Sequence, residues 1–538
     1  MIRVLDPATA VQRPVRARRW EDGDRRRAPA QLRPTVYVAE KLLVRGDQAD
    51  QGIEPKVAAL LAERFGWTLS PVRKPEPRRE YRLDVKLESR RPQVLALSVA
   101  EGRLAAPPDA WLALQHIADE FPELAGEFEL VHVLAATTLT GVGGYWSGIG
   151  GYWSGIGGYW SGIGGYWSGI GGYWSGIGTS STPGEYGVPG LGGRSPVALV
   201  VADPALTAPK VARPPVVVMP DTGIGVHPWF RDLSAQPLAF PPPTASGVEV
   251  KGSPVADVDD GVTDYLTGDI QRLAGHGTFI AGIVRQACPS ARLEAHAVMA
   301  SSGVMEEDVL LDDLHDLLER QLGALESGDA AGVVDVLTLS VGYYHEEGAD
   351  ADDASIAQVL RDLGRAGVLV VAGAGNDATT EPMLPAGFAG GPADASALPL
   401  VSVGSLNPNG ASVSLFSNAG EWVTTYRTGA AIVSTLPVNM NAGVQSSSRV
   451  DGDASLTPAQ RRALHAGVGQ PPKDRSTIDR DDYSGGFGVW SGTSFATPVL
   501  AGELARALLE KGTDAVDLSS MLDRGWAALS SVLGLDRP

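Results

Sequence analysis

The chain has 538 residues, 43% of them hydrophobic and 20% charged, with a formal net charge of −19. Such a composition suits a globular protein of two or three domains with a sizeable core. The acidic balance argues against nucleic acid as a partner, no run of 18 apolar residues offers a transmembrane helix, and the single cysteine, Cys288, excludes an internal disulfide.

Residues 1–34 hold nine arginines against four acids and show no hydrophobic periodicity, so they read as a disordered basic segment. No apolar stretch follows these arginines, so no secretory signal is visible. The expected location is therefore cytoplasmic, with a non-classical export route left open. From 35 to 137 the pattern becomes regular. Residues 35–39 open a strand, and Val57, Leu60, Leu61 and Phe65 recur at helical spacing. Residues 81–87 alternate strictly and predict a half-buried strand. Strands at 94–100 and 128–135, with a helix over 109–120 between them, complete a βαββαβ order. That is a small α+β sandwich of ferredoxin-like arrangement.

The heptad Gly-Gly-Tyr-Trp-Ser-Gly-Ile then repeats five times without change over 143–177. Three glycines in seven disfavour helix, and an odd repeat flips equivalent side chains between the faces of a strand. The region 138–190 therefore reads as an aromatic-decorated linker, with self-association through the Tyr-Trp pairs as the competing reading.

From 191 to 538, strands alternate with helices. Apolar strand runs fall at 216–219, 336–341, 368–372 and 400–403, and helical patterns at 276–286, 307–322, 355–363 and 494–510. This alternation predicts a mostly parallel, doubly wound α/β sheet with its site at the carboxyl ends of the strands. Residues 441–484 are polar and look inserted. They carry one helix signal, with Thr457 as N-cap, Pro458 and Gln460 behind it, and Gly467 as the stop. Cys288, in an apolar run, reads as a small buried hydrophobe.

Four blocks carry chemistry. Asp221 ends an apolar strand in Pro220-Asp221-Thr222-Gly223. His276 opens a helix in Gly275-His276-Gly277-Thr278. Asn376 follows Gly373-Ala374-Gly375 at another strand end. Ser494 stands at a helix start in Gly492-Thr493-Ser494-Phe495-Ala496-Thr497-Pro498. Taken singly, these are an Asp turn, a structural histidine, a post-strand Asn and an N-cap serine. Together they supply a nucleophile, a base, a carboxylate to orient the base, and an amide donor for an oxyanion.

In this order and spacing the blocks resemble those of the subtilase (subtilisin-like) serine peptidases, over roughly 195–515. The resemblance implies a subtilisin-like fold and a serine endopeptidase working through an acyl-enzyme. It assigns the triad to Asp221, His276 and Ser494, and the oxyanion hole to Asn376. It implies a substrate strand at Ser340, Val341 and Gly342, flanked on its other side by 301–305, with Gly373, Ala374 and Gly375 lining the pocket. It further implies that the sandwich at 35–137 is an inhibitory prodomain and the protein a self-processing zymogen. Protein or peptide substrates and the chain's own N-terminal domain are the expected partners. No cofactor is needed for this chemistry and no metal ligands are identified; structural calcium is common in the family, but no calcium loop is visible here. The chain departs from the family pattern at Pro220 before the aspartate, at Phe279 where a second histidine is common, and in the insert at 441–484. An idle, peptide-binding subtilase fold and an esterase or ligase on the same site are the competing functions.

Overall fold

The structure is a computed structural model that describes residues 1–5, 32–45, 54–73, 81–136, 186, 193–230, 248–252, 268–347, 354–391, 394–443, 446–450 and 475–538. The heptad repeats and the helix expected at 457–467 lie outside these residues, as does most of the basic segment.

The N-terminal part contains β1 (Ile2–Leu5), β2 (Thr35–Val44), α1 (Glu54–Phe65), β3 (Trp67–Pro71), β4 (Gln93–Val99), α2 (Ala110–Glu120) and β5 (Phe128–Ala136). β2 lies centrally and antiparallel, with β5 on one side and β4 on the other, and β3 follows β4. Asp109 caps α2, accepting from the backbone N–H groups of Trp111 and Leu112. One face of this sheet buries Ala39, Leu42, Leu95 and Leu130 against Leu61, Trp111 and Leu114 of the two helices.

Two expectations change here. The first residues are not unstructured: Ile2–Leu5 pairs antiparallel with Thr35–Val38, and Leu5 enters the core of the sandwich. A four-residue run carrying Ile, Val and Leu is long enough to add to an existing edge, although too short to register as a periodic pattern. Residues 81–87, in turn, join no sheet. Their alternation is real, since Tyr81, Leu83 and Leu87 are half-buried, but the surface beneath them is helical. A period of two reports an extended chain with one covered face and does not identify the cover.

The second part contains β6 (Ser195–Pro196), β7 (Val216–Asp221), β8 (Val248–Gly252), α3 (His276–Ala287), β9 (Arg292–Ala297), β10 (Val304–Glu306), α4 (Glu307–Ser327), β11 (Val336–Leu339), β12 (Val341–Gly342), α5 (Ser355–Arg365), β13 (Leu369–Gly373), β14 (Leu400–Leu406) and β15 (Thr425–Thr428). It ends with β16 (Ile432–Thr435), β17 (Arg449–Val450), β18 (Arg475–Ser476), β19 (Phe487–Trp490), α6 (Thr493–Lys511) and α7 (Leu518–Leu533). Seven parallel strands form one sheet in the order β15-β14-β13-β11-β7-β9-β8. Every residue of β7, β11 and β13 is buried, as parallel strands covered on both faces require. The predicted α/β architecture is thus observed. Pro220 is accommodated because β11 leaves β7 at Val218; beyond that point only β9 pairs with β7. Cys288 is 1% exposed, and burial pushes its thiol up to about 11, so it packs as an inert hydrophobe.

A buried charge cluster braces β9 against α4. His296 places Nδ1 2.6 Å from Asp313 and Nε2 3.0 Å from Glu294. Burial lowers the affinity of His296 for a proton, but the two carboxylates outweigh it and raise the ring from 6.5 to about 9. A group raised on folding stabilises fully below its unfolded value, and that contribution fades as pH climbs through about 9. Thermal unfolding between pH 6 and pH 10 should therefore show stability falling towards the alkaline end. His296→Gln should flatten the slope; an unchanged slope would exclude this origin.

The two parts meet through the outer face of the N-terminal sheet. Val38, Leu43, Val131 and Leu134 join the larger core. That is why β5 is buried on both faces although its sheet is antiparallel. Around this apolar contact, Asp362 of α5 accepts from Glu88 N–H, Ser89 N–H (2.7 Å) and the Ser89 hydroxyl (2.6 Å). Lys41 reaches Glu306 and Asp308, and Arg91 reaches Asp312 and Asp316.

Candidate active site

The carboxyl end of β7 delivers Asp221, 1% exposed, and the start of α3 delivers His276, fully buried. The His276 Nδ1 atom lies 2.8 and 2.9 Å from the two carboxylate oxygens. One oxygen also accepts the Thr222 N–H at 2.7 Å, so the carboxylate is held from both sides. The strand turn and the helix start can approach this closely because residue 277 is glycine: a Cβ there would stand 2.1 Å from the Gly223 carbonyl oxygen. The His276 ring lies 5.4 Å from the Phe495 ring and 5.8 Å from that of Trp490. Phe279 fills the remaining space, 4.5 Å from Phe495. The residue that departs from the family pattern is thus part of an aromatic wall behind the imidazole.

Ser494 is the second residue of α6, whose N-cap is Gly492. Pro498, four residues on, has no N–H to offer the Ser494 carbonyl. The Ser340 hydroxyl donates to that carbonyl instead, at 3.0 Å, and the Ser494 hydroxyl donates back to the Ser340 carbonyl at 3.2 Å. This exchange ties the end of β11 to the helix start. His276 Nε2, on the ring edge away from Asp221, is buried without a hydrogen-bond partner.

Asn376 follows β13. Its carboxamide oxygen accepts from Thr493 N–H at 2.9 Å and from the Thr493 hydroxyl at 3.1 Å. That fixes the amide rotamer and leaves Nδ2 buried, also unpartnered, beside the residue that precedes Ser494. Gly375 donates to the same Thr493 hydroxyl, and Ala374 is held by Asn418, which is fully buried. Met383 was not singled out in the sequence. It packs where a Cβ on Gly342 would come within 2.7 Å of its sulfur and a Cβ on Gly375 within 2.8 Å. It therefore fills the space between those two glycines, and no motif marks it.

The residues expected to meet substrate already pair with a strand. β5 runs antiparallel to β12, with Val341 opposite Ala136 and Gly342 opposite Ala135. Its other edge pairs with β10, with Val304 opposite Ala135, Met305 opposite Leu134 and Glu306 opposite Val133. Ala136 N–H donates to Gly303 O at 3.2 Å. The N-terminal sandwich thus ends in a strand held between the two segments expected to flank a peptide.

A model of the subtilase family matches residues 215–517. The chain belongs to the subtilase family. It is accordingly a subtilisin-like serine endopeptidase, a hydrolase of peptide bonds. Among solved structures, a cold-adapted subtilisin-like serine proteinase is similar at 18% identity, over 57% of this chain and 79% of that one, with a TM-score of 0.33. A lanthipeptide protease is similar at 18% identity, over 57% and 78%, with the same TM-score. No curated protein matches. Among the described residues, no helix of this subtilase is long and apolar enough to cross a membrane.

Proposed function

We propose that Ser494 is the nucleophile of this subtilase, His276 its general base and Asp221 the carboxylate that orients and charges the base. The Ser494 Oγ bonds to the scissile carbonyl carbon as His276 Nε2 takes its proton. That proton passes to the amine when the C–N bond breaks, and water then hydrolyses the acyl-enzyme by the same route. Asn376 Nδ2 donates to the carbonyl oxygen as it becomes an oxyanion. The observation that carries this reading is a pair of buried polar atoms without partners beside the two neighbours of Ser494: His276 Nε2, whose ring lies 5.4 Å from that of Phe495, and Asn376 Nδ2, whose amide oxygen is bonded to Thr493. Buried polar atoms are normally satisfied, so two orphans at one place suit groups whose partners arrive with substrate. A fluorophosphonate probe should label Ser494, and absence of labelling in processed protein would overturn the assignment. Asn376→Ala should lower kcat by about 10²–10³-fold with little change in KM, because the donor acts mainly in the transition state. A raised KM with unchanged kcat would place Asn376 in ground-state binding instead.

Substrate takes the position of β5, as an added strand between β10 and β12, so recognition is largely through the main chain. Met383 restricts the pocket bounded by Gly342 and Gly375 to small side chains. Met383→Gly should shift cleavage towards aromatic residues before the cut, read from a peptide library; an unchanged profile would exclude this role. The sandwich ending in β5 acts as the inhibitory prodomain. The described part of β5 ends at Ala136, opposite Val341, and the expected self-cleavage is a single cut beyond it, between about 137 and 195.

A further inference from the structure

Away from the catalytic residues, a second cluster joins the two parts of the molecule. His132 of β5 is 1% exposed; His345 and Glu346, in the turn after β12, are 3% and 8% exposed. Each offers one ligand atom, and these atoms all lie within 4.8 Å of one another. We propose that His132, His345 and Glu346 form a zinc site that bolts the N-terminal sandwich to the protease body.

The surroundings of His132 are those of a metal ligand. Its Nδ1 lies 2.6 Å from Glu307 Oε2, which also accepts the His132 backbone N–H at 3.1 Å. The other oxygen of Glu307 accepts the Tyr343 hydroxyl at 3.2 Å, and the Tyr343 ring stacks on the imidazole at 4.6 Å. A carboxylate holding one imidazole nitrogen fixes the tautomer and turns the other nitrogen towards a metal. That other nitrogen, Nε2, faces Glu346 Oε2 at 2.7 Å. His345 Nδ1 accepts the Glu347 N–H at 3.1 Å and stands 3.5 Å from the same Glu346 oxygen, so as a ligand it exchanges that N–H for the ion. Two imidazoles and one carboxylate suit zinc, with a fourth position for water.

Two ligands of a tetrahedral zinc stand about 3.3 Å apart, so Glu346 has to draw back from His132 by about 0.6 Å. Because the ligands come from both sides of the junction, the ion would hold the sandwich in place and slow its release. The site stands independently of the proposed catalytic roles.

The test uses the full-length Ser494→Ala chain, stripped of metal and titrated with zinc against a chromophoric chelator. One equivalent should bind, and X-ray absorption of the zinc-loaded protein should show two histidines and one carboxylate around the ion. Glu307→Gln should weaken binding about 10–100-fold, the effect of losing an outer-shell partner. His345→Gln and His132→Gln should abolish it. No stoichiometric binding, a shell with a different number of histidines, or full binding in both histidine variants would each overturn the site. The absorption measurement needs no ligand variant, so a misfolded variant cannot hide the answer.

Discussion

Ser494→Ala is expected to lower peptide hydrolysis by about 10⁶-fold, the order known for subtilisin, where nucleophile and base act as a unit. The fold should survive. One hydroxyl is lost, and the exchange with Ser340 keeps its other half, since the Ser340 hydroxyl still donates to the carbonyl of residue 494. The expected stability cost is about 1 kcal/mol, that of one hydrogen bond. His276→Ala should reduce turnover as far but cost more stability, because Asp221, 1% exposed, loses its ring partner. Turnover with a standard peptide and a thermal melt on both variants check these statements together. Wild-type turnover in His276→Ala would reject the mechanism. Ser494→Ala should also remain one intact chain, whereas the wild type should be cut once, between about 137 and 195. Intact-mass measurement after purification distinguishes the two, and an uncut yet fully active wild type would reject the zymogen reading.

The second large effect concerns His132. After cleavage, the sandwich should stay seated and inhibit until it dissociates. His132 lies between Glu307 and Glu346, both buried. In His132→Ala those two carboxylates lose the ring between them, which costs about 3–5 kcal/mol, or roughly 10²–10⁴-fold in inhibition. The variant should reach full activity after processing with a much shorter lag than the wild type. An equal lag at equal processing would show that His132 contributes nothing to the grip.

The four blocks assigned to the proposed chemistry are each local: a strand end, a turn or a helix start, with Asp221, His276, Asn376 or Ser494 beside glycines or threonines that shape the turn. The parallel sheet was legible for a related reason: strands buried on both faces are apolar throughout, as 216–219 and 336–341 are. Contacts between distant segments were not. Residues 81–87 showed an extended chain with one covered face, while the helices that cover it come from elsewhere in the sequence. β5 was read as the last strand of a sandwich, and nothing local says that its second face and both edges meet the protease body. Met383 owes its place to two glycines 41 and 8 positions away, so no periodicity marks it. His132, His345 and Glu346 fall in two segments more than 200 residues apart, so no ligand spacing exists to find.

On the self-processing proposed above, the seating of β5 between β10 and β12 also sets the kinetic order of maturation. The strand that fills the cleft belongs to the same polypeptide as the cleft, so the cut needs no encounter between molecules. Its local concentration is set by the fold and not by the solution. Self-cleavage is then first order, with a half-time that stays constant as the protein is diluted and when inert Ser494→Ala chains are added in excess. Newly made protein would mature at the same pace whether it is scarce or abundant.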